Sequence, residues 1–420
     1  MRCLRITLYL VLSAMTSISL SQEIADWAGF RRGAVSFTFD DGAPSHVTDG
    51  APLFDKYGYK ATFNLVNNWN PNWEGFQKMA DNGHEIASHS NSHGDNMSGE
   101  EASSKANIAG RISQKFGLLT VAYPNCNVPD QDAVLQNYIA GRICNGSWQG
   151  GSDIMGKDGP SDWTKVPALM TGSESSVKSS DDFIGQMQKA VNSGGWLVFL
   201  THGLAGKDNG YATFSPTDLD AVEGALEWVQ QHDDEIWVAP FRNVAMYVKE
   251  RSAAKIDAIE KSSSRFEFKL THNIADDISN YDYPLSIRVE NSMNWTEVFG
   301  NQDGKAIDAF IKDGFIYLDV VPNGGNVILS SENSSAEEKP SSSVSTDFIH
   351  GLYQNQKLFL DSKMNRYQVF DMNGQLLKSA NATVGSVCDV WNRASEGLPT
   401  GTYIMRYGTD KFMQMIPVRK

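Results

Sequence analysis

The stretch "SFTFDDG", residues 36–42, decides how the chain is interpreted, because a run of β-forming residues ends there in two aspartates and a glycine. Asp40 and Asp41 carry like charges that repel each other. One interpretation is a solvated turn, since Asp-Gly is a common turn signal. The other is a functional pair, in which a metal ion or a cationic imidazole offsets the repulsion and gives the two carboxylates different roles. The stretch alone does not choose between them.

Strand-like and helix-like stretches alternate from residue 34 to about residue 250. The predicted strands are, in chain order, "AVSFTF", "KATFNLV", "HEIASHS", "LLTVAYP", "YIAGRIC", "WLVFLTH" and "DEIWVAPF". Such alternation is typical of a mostly parallel sheet covered by helices. We therefore predict an α/β fold, a distorted and incomplete (β/α) barrel of about seven parallel strands. The residues that end these strands, and so meet at the carboxyl end of the barrel, are Asp40, Asp41, His89, Pro124, Cys144 and His202.

The pattern changes after residue 255 to short strands separated by Asn, Asp and Gly turns, which predicts small all-β modules. The expected segments are a signal peptide (1–21), the α/β domain (22–255), a β-rich accessory domain (256–330), a Ser-rich linker (331–346) and a C-terminal β domain (347–420). In the last of these, Asn373-Gly374 predicts a tight hairpin turn. The accessory domain either binds carbohydrate or packs against the α/β domain, and its sequence does not choose.

The N-terminus has the pattern of a cleavable secretory signal. Arg2 and Arg5 precede a short apolar stretch and the small residues of Ser19-Leu20-Ser21. The apolar stretch is too short to span a bilayer comfortably, so we predict a secreted or cell-surface protein without a membrane span. The formal net charge of −14 argues against a nucleic-acid partner, because no basic surface offsets the repulsion.

Residues 89–93 read His-Ser-Asn-Ser-His. On a helical turn, positions i and i+4 lie on one face, so His89 and His93 would reach the same ion. A carboxylate would complete a three-ligand site with an open position for water, a set that suits zinc. Taken alone, two histidines four residues apart are more often surface or core residues. The motif therefore needs support from others.

That support comes from order. "TFDDG", "HSNSH" and "LTHG" follow one another, and residues 33–250 thereby resemble the NodB-homology polysaccharide deacetylases, carbohydrate esterase family four. The resemblance implies one divalent metal ion, zinc above all and otherwise cobalt or another ion, bound by Asp41, His89 and His93. It also implies that Asp40 is the general base and His202 the general acid. Without the other motifs, His202 would be read as a buried histidine after the apolar strand "WLVFL".

One motif of the family is incomplete in this chain. The family usually has an arginine before the proline of its third motif, and here "AYPNC" places Ala122 at that position. The resemblance still implies that the backbone N–H of Asn125 is an oxyanion donor. Arg142, at the end of "AGRIC", is the predicted substitute for the missing arginine, and a solvated or ion-paired arginine is the alternative.

The family's fourth motif is an Asp-Trp pair, and Asp162-Trp163 is the best match in this chain. The resemblance implies that Trp163 forms a wall of the acetyl pocket and that Asp162 orients His202. Trp148 is a rival for the tryptophan. All of these residues could equally belong to ordinary loop structure.

Cysteine usage permits one internal bridge. Removal of the signal peptide would leave Cys126, Cys144 and Cys388. Cys126 and Cys144 follow predicted neighbouring strands, which lie about 4.8 Å apart, and an exported protein meets an oxidising environment. We therefore predict a disulfide bond beside the site. The histidines that match no motif are predicted to be structural: His46, His84, His232, His272 and His350.

The sequence thus predicts an enzyme, a metal-dependent deacetylase of an acetylated polysaccharide, with O-acetylated xylan first among the substrates. The near alternative is an N-deacetylase of chitin oligomers or peptidoglycan. An alternative of another class is a catalytically weakened carbohydrate-binding protein, suggested by Ala122 and Cys126. The C-terminal segment resembles the sorting domains of type IX secretion, which implies secretion machinery as a partner. A plain β accessory domain is the alternative there.

Overall fold

The computed structural model describes residues 21–149, 151–275, 278–332, 366–370, 376–380, 398, 402–409 and 412–419. The predicted signal peptide up to residue 20, residues 333–346 of the predicted linker, the Asn373-Gly374 turn, Cys388 and His350 lie outside the described residues. Within the described ranges, no helix has both the length and the apolar character that crossing a membrane requires.

The α/β domain contains ten strands and seven α-helices among its described residues. They are β1 (Gln22–Ile24), β2 (Gly33–Phe39), α1 (Ala51–Tyr57), β3 (Thr62–Leu65), α2 (Trp73–Asp81), β4 (Glu85–Ser88), α3 (Glu101–Ala109), β5 (Thr120–Ala122), α4 (Gln131–Asn137), β6 (Ala140–Arg142), β7 (Ile154–Met155), β8 (Leu169–Met170), α5 (Ser180–Ser193), β9 (Trp196–Thr201), α6 (Leu219–Gln231), β10 (Ile236–Val238) and α7 (Phe241–Ala253). Short helical turns lie at Ala28–Phe30, His46–Gly50, Asn67–Trp69, Pro124–Cys126 and Gly146–Gln149.

The predicted fold class is confirmed, because all seven predicted strands form one mostly parallel sheet. Its order is β6-β5-β4-β3-β2-β9, and β10 pairs with the first half of β2 while β3 pairs with its end. Two further strands were not predicted: β8 is parallel to β9, and β7 is antiparallel to it. A strand of two residues is too short to show a periodic pattern in the sequence.

The barrel is distorted where its two edges meet. Between β6 and β9 the only strands among the described residues are the two-residue β7 and β8, and the segment 163–170 spans the space. Val166 forms an isolated parallel bridge with Arg142 of β6, and Leu169 and Met170 pair with β9. The two edges are therefore joined at this point by one isolated bridge to β6 and a two-residue pairing with β9 rather than by a continuous ladder.

Burial on both faces explains the apolar strands. Every residue of β2 and β9 is buried. Val35, Phe37 and Phe39 belong to the core cluster that the sheet shares with α1, α2, α5 and α6, whereas Ala34 and Trp196 belong to a second cluster that includes α7. Strands covered on both faces are expected to read as continuous hydrophobic runs. β9 does so up to Leu200, whereas β2 also contains two buried polar residues, Ser36 and Thr38.

Helix ends follow from local side-chain chemistry. Ser179 and Asp182 form a reciprocal capping box at the start of α5, and Gly194 ends that helix with a left-handed backbone at φ 66°. The carboxylate of Asp218 accepts the backbone N–H of Asp220 at the start of α6. Asp218 is therefore the capping residue of this helix.

The β-rich region forms two sheets. Its strands are β11 (Lys255–Lys261), β12 (Arg265–Thr271), β13 (Leu285–Glu290), β14 (Phe299–Gln302), β15 (Lys305–Ile307), β16 (Ala309–Lys312), β17 (Phe315–Val320) and β18 (Asn326–Ser330). One sheet has the order β11-β12-β18-β14-β15, and the other has the order β1-β13-β17-β16. β1 lies in the range predicted for the α/β domain, yet it pairs with β13, so residues 22–24 belong to a sheet of the accessory module.

The accessory module shares a hydrophobic core with the barrel. Trp237 of β10 and Tyr247 of α7 belong to the same cluster as Phe268, Leu285 and Ile287 of the module. The Tyr247 hydroxyl also donates a hydrogen bond of 2.8 Å to the carbonyl oxygen of Ala25, just after β1. Of the two interpretations of the module, the structure thus shows packing against the α/β domain, and carbohydrate binding by the module stays untested.

Glu250 gives a pH-dependent prediction at this contact. The side chain is fully buried, one carboxyl oxygen accepts the N–H of Tyr283 at 3.0 Å, and burial raises the pKa of Glu250 to about 9. Because the pKa of Glu250 is higher in the folded than in the unfolded chain, the contribution of this group to the free energy of unfolding is fully present below about pH 4.5. That contribution is lost as the pH rises toward 9.

We therefore expect Glu250→Gln, which cannot ionise, to raise the free energy of unfolding at pH 8 by about 1–3 kcal/mol. At pH 5 the variant should differ little from the wild type. Urea unfolding at both pH values measures the difference. An equal gain at both would mean that packing rather than ionisation is responsible.

The C-terminal segment contains four described strands: β19 (Arg366–Phe370), β20 (Leu376–Ala380), β21 (Thr402–Thr409) and β22 (Phe412–Arg419). They form an antiparallel sheet in the order β20-β19-β21-β22. β19 and β20 pair directly, as the predicted hairpin requires. The sheet agrees with both interpretations of this segment, a sorting domain or a plain accessory domain.

Candidate functional site

The carboxyl ends of the parallel strands bring most of the predicted site residues together. Asp40 and Asp41 follow β2, His89 follows β4, and His202 follows β9. Arg142 is the last residue of β6. Parallel strands end at a common edge, so residues distant in sequence become neighbours there.

Asp41 is the centre of a three-residue cluster. Its Oδ1 atom lies 3.4 Å from Nε2 of His89 and 3.4 Å from Nε2 of His93. Asp41 and His89 are buried, and His93 is partly buried. Asp41 has φ 77° and Gly42 has φ 64°, so the "DDG" stretch turns sharply and aims the second carboxylate at the imidazoles. Aspartate is among the few non-glycine residues that tolerate this left-handed backbone.

The helical spacing predicted for the histidines is wrong, although the two rings do converge. Residues 89–93 form a loop without helical structure, in which Ser90 has φ 70° and His93 has φ 53°. The Ser90 hydroxyl accepts the N–H of His93 at 2.9 Å, and the carboxylate of Glu100 accepts the N–H groups of Asn91 and Ser92. These side-chain acceptors fix a tight loop, and this loop brings the two imidazole rings together as a helical turn was expected to do.

His89 is oriented by a backbone carbonyl. Its Nδ1 atom lies 2.9 Å from the carbonyl oxygen of Ala122, which can only accept, so Nδ1 carries the proton. The lone pair of Nε2 is then directed at Asp41. A hydrogen bond of this kind to the second ring nitrogen is the usual arrangement for a metal-binding histidine.

The three residues fit a divalent cation. The Asp41 Oδ1 atom is buried and has no hydrogen-bond donor in the described part of the chain, and all three ligand atoms lie within 4.8 Å of one another. Tetrahedral zinc, with bonds of about 2.0–2.1 Å, separates neighbouring ligand atoms by about 3.3 Å. The two separations of 3.4 Å from Asp41 Oδ1 to the histidine Nε2 atoms match this spacing. Other divalent ions accept the same donors, so the residues do not identify the metal.

Asp40 is held by two donors. Asn64 of β3 donates from Nδ2 to Oδ1 at 2.8 Å, and the Arg142 guanidinium donates to Oδ2. Burial works to raise the pKa of Asp40, but the charges of Arg142, His89 and His202 and the Arg142 hydrogen bond outweigh it and hold the pKa well below its usual value. Asp40 is therefore ionised at neutral pH. Arg142 occupies the place that the sequence predicted for it.

His202 lies beside the two aspartates on the loop after β9. Burial lowers the pKa of His202, while Asp40 and Asp41 act to raise it. Its Nδ1 atom is buried and has no hydrogen-bond partner among the residues that the structure describes. The backbone of His202 is fixed, because Nε2 of the buried His46 donates to its carbonyl oxygen at 2.8 Å. Burial lowers the pKa of His46 to about 4, so this ring stays neutral.

Comparison with known proteins agrees with this geometry. Residues 29–120 match the family model described as polysaccharide deacetylase, and the matched range contains Asp40, Asp41, His89 and His93. The chain carries a polysaccharide deacetylase domain. Arg142 and His202 lie beyond the matched range of this domain.

Solved structures related to the deacetylase domain include three that cover about half of the chain. A putative polysaccharide deacetylase from Mycobacterium smegmatis is 16% identical, covers 56% of this chain and 96% of its own, and has a TM-score of 0.40. The Xyl-CE4 domain of a multidomain xylanase from the hindgut metagenome of Trinervitermes trinervoides is 19% identical, covers 50% of this chain and 89% of its own, and has a TM-score of 0.32. A family 4 acetyl xylan esterase from Clostridium thermocellum, in complex with a cobalt ion, is 15% identical, covers 50% of this chain and 89% of its own, and has a TM-score of 0.31.

A gellan lyase from a Bacillus species is 27% identical over 327 residues. The match covers 73% of this chain but only 13% of the relative, so the chain spans a small part of that protein's length. Residues 1–255 are 255 of 420 residues, about 61% of the chain, so the match extends past the deacetylase domain into the β-rich region.

The structure places Asp162 and Trp163 away from the catalytic end of the deacetylase domain, which corrects the predicted roles. Asp162 accepts hydrogen bonds from Gln131 and Thr164. The Trp163 ring lies 6.4 Å from that of Trp196, the first residue of β9, whereas His202 follows the last. Six residues of strand span roughly 20 Å, so neither residue borders His202. The side chain of Trp148 lies outside the described ones.

The predicted disulfide is confirmed. Cys126 and Cys144 are bonded, with a Cα–Cα distance of 5.3 Å. The bond joins the loop after β5 to the loop after β6 and lies two residues from Arg142. Asn125, next to Cys126, has φ 54° and donates from its side chain to the carbonyl oxygen of Gly94 at 3.0 Å. Its predicted part as an oxyanion donor stays a prediction.

One residue of the site, Asn64, was not predicted from the sequence. Asn64 holds Asp40, and a polar residue inside the buried strand "TFNL" was the available signal. His46 is structural, as predicted, because its buried ring supports the backbone of the loop that carries His202. The other described histidines without a motif have hydrogen bonds away from the site, as expected: His84, His232 and His272.

Proposed function

We propose that the protein is a metal-dependent carbohydrate deacetylase that hydrolyses acetyl groups of a polysaccharide, with O-acetyl groups of xylan as the first substrate to test. The observation that carries the proposal is the cluster of Asp41, His89 and His93 beside a second, ionised carboxylate. Asp40 is held by Arg142 and Asn64 so that it does not rotate away from that cluster. Two adjacent aspartates therefore have different surroundings and can have different roles.

Asp41, His89 and His93 would hold the cation, with zinc as the first choice and cobalt or another divalent ion as alternatives. When bound, such an ion lowers the pKa of a water molecule and polarises the carbonyl group of the acetyl ester or amide. Its positive charge also offsets the repulsion between Asp40 and Asp41.

The remaining steps belong to the side chains of the protein. Asp40 takes a proton from the attacking water as the new C–O bond forms, and the backbone N–H of Asn125 donates to the oxyanion. His202 gives a proton to the departing sugar oxygen or nitrogen as the bond to the acetyl carbon breaks. The products are acetate and a free hydroxyl or amino group on the sugar.

Arg142 gives the first functional prediction. In Arg142→Ala we expect kcat to fall about 10- to 100-fold with a smaller change in KM, because Asp40 loses the donor that orients it. Loss of the positive charge also raises the pKa of Asp40, so the acidic limb of the pH profile should move to higher pH. Steady-state kinetics from pH 4 to pH 8 measure both effects.

Arg142→Lys is the matched control, since it keeps the charge but not the planar geometry, and it should recover part of the activity. An unchanged kcat in Arg142→Ala, with the same metal content as the wild type, would remove Arg142 from the account.

The proposed activity is tested by a substrate panel. Metal-loaded protein is incubated with acetylated xylan, N-acetylglucosamine oligomers and peptidoglycan, and released acetate is measured with and without a chelator. We expect release from acetylated xylan that stops with the chelator and returns with zinc or cobalt. Release from the N-acetylated substrates alone would replace the esterase with an N-deacetylase.

One observation favours a rival of another class, a carbohydrate-binding protein with weakened catalysis. Asp162 does not reach His202, and the His202 Nδ1 atom has no partner in the described ranges, so the proposed acid lacks an orienting group. If metal-loaded protein bound these polymers but released acetate from none, this rival would stand and the deacetylase would fall.

Export is part of the proposal. The disulfide bond between Cys126 and Cys144 suits an oxidising compartment and supports a secreted or cell-surface location. The C-terminal sheet is proposed as the part that secretion machinery recognises. Expression in a host with type IX secretion, with and without residues 347–420, tests this, and equal export of both forms would reject it.

A further inference from the structure

The loop after His202 presents two large aromatic side chains to solvent. Tyr211 is 69% exposed and Phe214 is 56% exposed. They lie in one loop beside the proposed acid, whereas the other large apolar side chains that are exposed among the described residues are spread over α4, the β-rich module and the C-terminal sheet: Leu135, Ile259, Phe299 and Leu377. Clustered exposed aromatic residues next to a site indicate a binding surface more strongly than scattered ones.

The backbone holds this loop in one shape. Asn209 accepts the N–H of Leu204 and donates to the carbonyl oxygen of the same residue, both at 2.8 Å. Thr217 donates to the carbonyl of Gly203 and accepts the N–H of Ala205. A Cβ atom at Gly203 would lie 2.3 Å from the carbonyl oxygen of Ala212, so the loop is packed against its own base. The backbone that carries the two aromatic residues is therefore ordered before any ligand binds, which lowers the entropy cost of binding.

The rings are continuous with the catalytic cluster. The Tyr211 ring lies 4.8 Å from that of Trp69, and Trp69 stacks at 4.8 Å on the ring of the metal ligand His93. Phe214 contacts the ring of His202 edge-on at 5.5 Å. Trp69 is only partly buried, and the backbone of its segment is tied to the loop of His89 and His93 by hydrogen bonds to Ser90 and Asn91.

We infer that Trp69, Tyr211 and Phe214 form a stacking surface for the uncharged sugar rings that adjoin the acetylated sugar. This inference rests on the proposed deacetylase function. The faces of a pyranose ring carry C–H groups that pack against aromatic rings, while its hydroxyl groups remain in water at the rim. Trp69 adjoins His93 and Phe214 adjoins His202, so a polymer stacked on this surface would lie across the site. The surface would therefore strengthen the binding of long substrates without taking part in the chemical step.

The charges near the loop favour an uncharged glycan over an anionic one as the ligand. Lys207 on this loop is paired with Asp49, so it offers no free positive charge for an anionic polymer. The chain as a whole carries a formal net charge of −14. An uncharged sugar chain avoids the repulsion that a uronic-acid or phosphate polymer would meet here.

The test compares Tyr211→Ala, Phe214→Ala and the double variant with the wild type on two substrates, acetylated xylohexaose and 4-nitrophenyl acetate. We expect the KM for the hexaose to rise about tenfold in each single variant and further in the double variant. In Tyr211→Ala, which removes a contact with Trp69 and leaves the Phe214 contact with His202 in place, the kcat for the hexaose and both constants for the small ester should stay as in the wild type. Phe214→Ala also removes a contact of the proposed acid, so it is judged by the KM for the hexaose and by affinity. Phe299→Ala, an exposed aromatic residue on β14, is the matched control and should change neither substrate.

A binding measurement separates this inference from the proposed function. Calorimetric titration with deacetylated xylohexaose should show affinity in the wild type that Tyr211→Ala and Phe214→Ala weaken by the same factor. Wild-type protein that releases no acetate would overturn the proposed function. Active wild-type protein with unchanged hexaose KM and affinity in the double variant would overturn the stacking surface alone, and so would an equal loss on the small ester in Tyr211→Ala.

Discussion

In Asp40→Asn the rate of acetate release should fall about 10³-fold, while the affinity for zinc stays within a few-fold of the wild type. The amide cannot take a proton from water, and general-base catalysis contributes about 10²–10⁴-fold to such reactions. The metal ligands are untouched, because the cation is assigned to Asp41 and not to its neighbour. The measurement is acetate release at saturating zinc, paired with zinc titration of the same preparation.

Stability must be checked in this variant. Both partners of Asp40 are donors, Asn64 and Arg142, so an amide places its NH₂ group opposite one of them. The unfolding midpoint should fall, and assays belong well below it. Asp26→Asn is the control, since Asp26 is half-exposed and pairs with Lys157 and Arg251 away from the site. If Asp40→Asn kept its rate, Asp40 would not be the base.

His202→Asn should reduce acetate release from sugar esters by about 10²–10³-fold and from 4-nitrophenyl acetate by much less. A sugar alkoxide is a poor leaving group and needs a proton as it departs, whereas nitrophenolate leaves without one. The ratio of the two losses therefore isolates the acid role from any effect on folding or metal binding. The measurement is kcat/KM for both esters with the wild type and the variant.

His232→Asn is the matched control for this prediction. His232 is the C-cap residue directly after α6, stacks on Trp228 and lies outside the site. It should leave both esters unaffected. A His202→Asn variant that loses the same factor on both esters would show that His202 positions the loop or the substrate and does not donate the proton.

The sequence predicted the fold well because its evidence is local and repeated. β2 and β9 are fully buried runs of β-forming residues, and each is followed directly by a residue that bears the chemistry, Asp40 or His202. Once the strands are parallel, these ends must meet. Arg142 was predictable for the same reason, since it ends β6 and the usual arginine position holds Ala122.

The failures come from structure that no periodic pattern encodes. The two ligand histidines converge through a loop in which Ser90 and His93 have positive φ, a conformation set by the acceptors Ser90 and Glu100 rather than by helical spacing. Asp162 and Trp163 matched a motif by residue type, but the bridging segment 163–170 carries Trp163 to the start of β9. A residue pair in a loop does not specify which end of the barrel it reaches.

Pairing between strands that are distant in the chain also could not be predicted from the sequence. β1 has three residues and joins β13, more than 260 residues later, so its place depends on the tertiary fold. The aromatic surface of Trp69 and Tyr211 likewise combines two loops that are separate in sequence. Such contacts leave no local signal.

The most direct test of the account is calorimetric titration of metal-stripped protein with zinc, performed on the wild type and on Asp41→Ala. We predict one zinc ion per wild-type chain and no measurable binding in the variant, because Asp41 Oδ1 lies between the two imidazole nitrogens. Wild-type protein that binds no zinc, or an Asp41→Ala variant that binds it with undiminished affinity, would contradict the account.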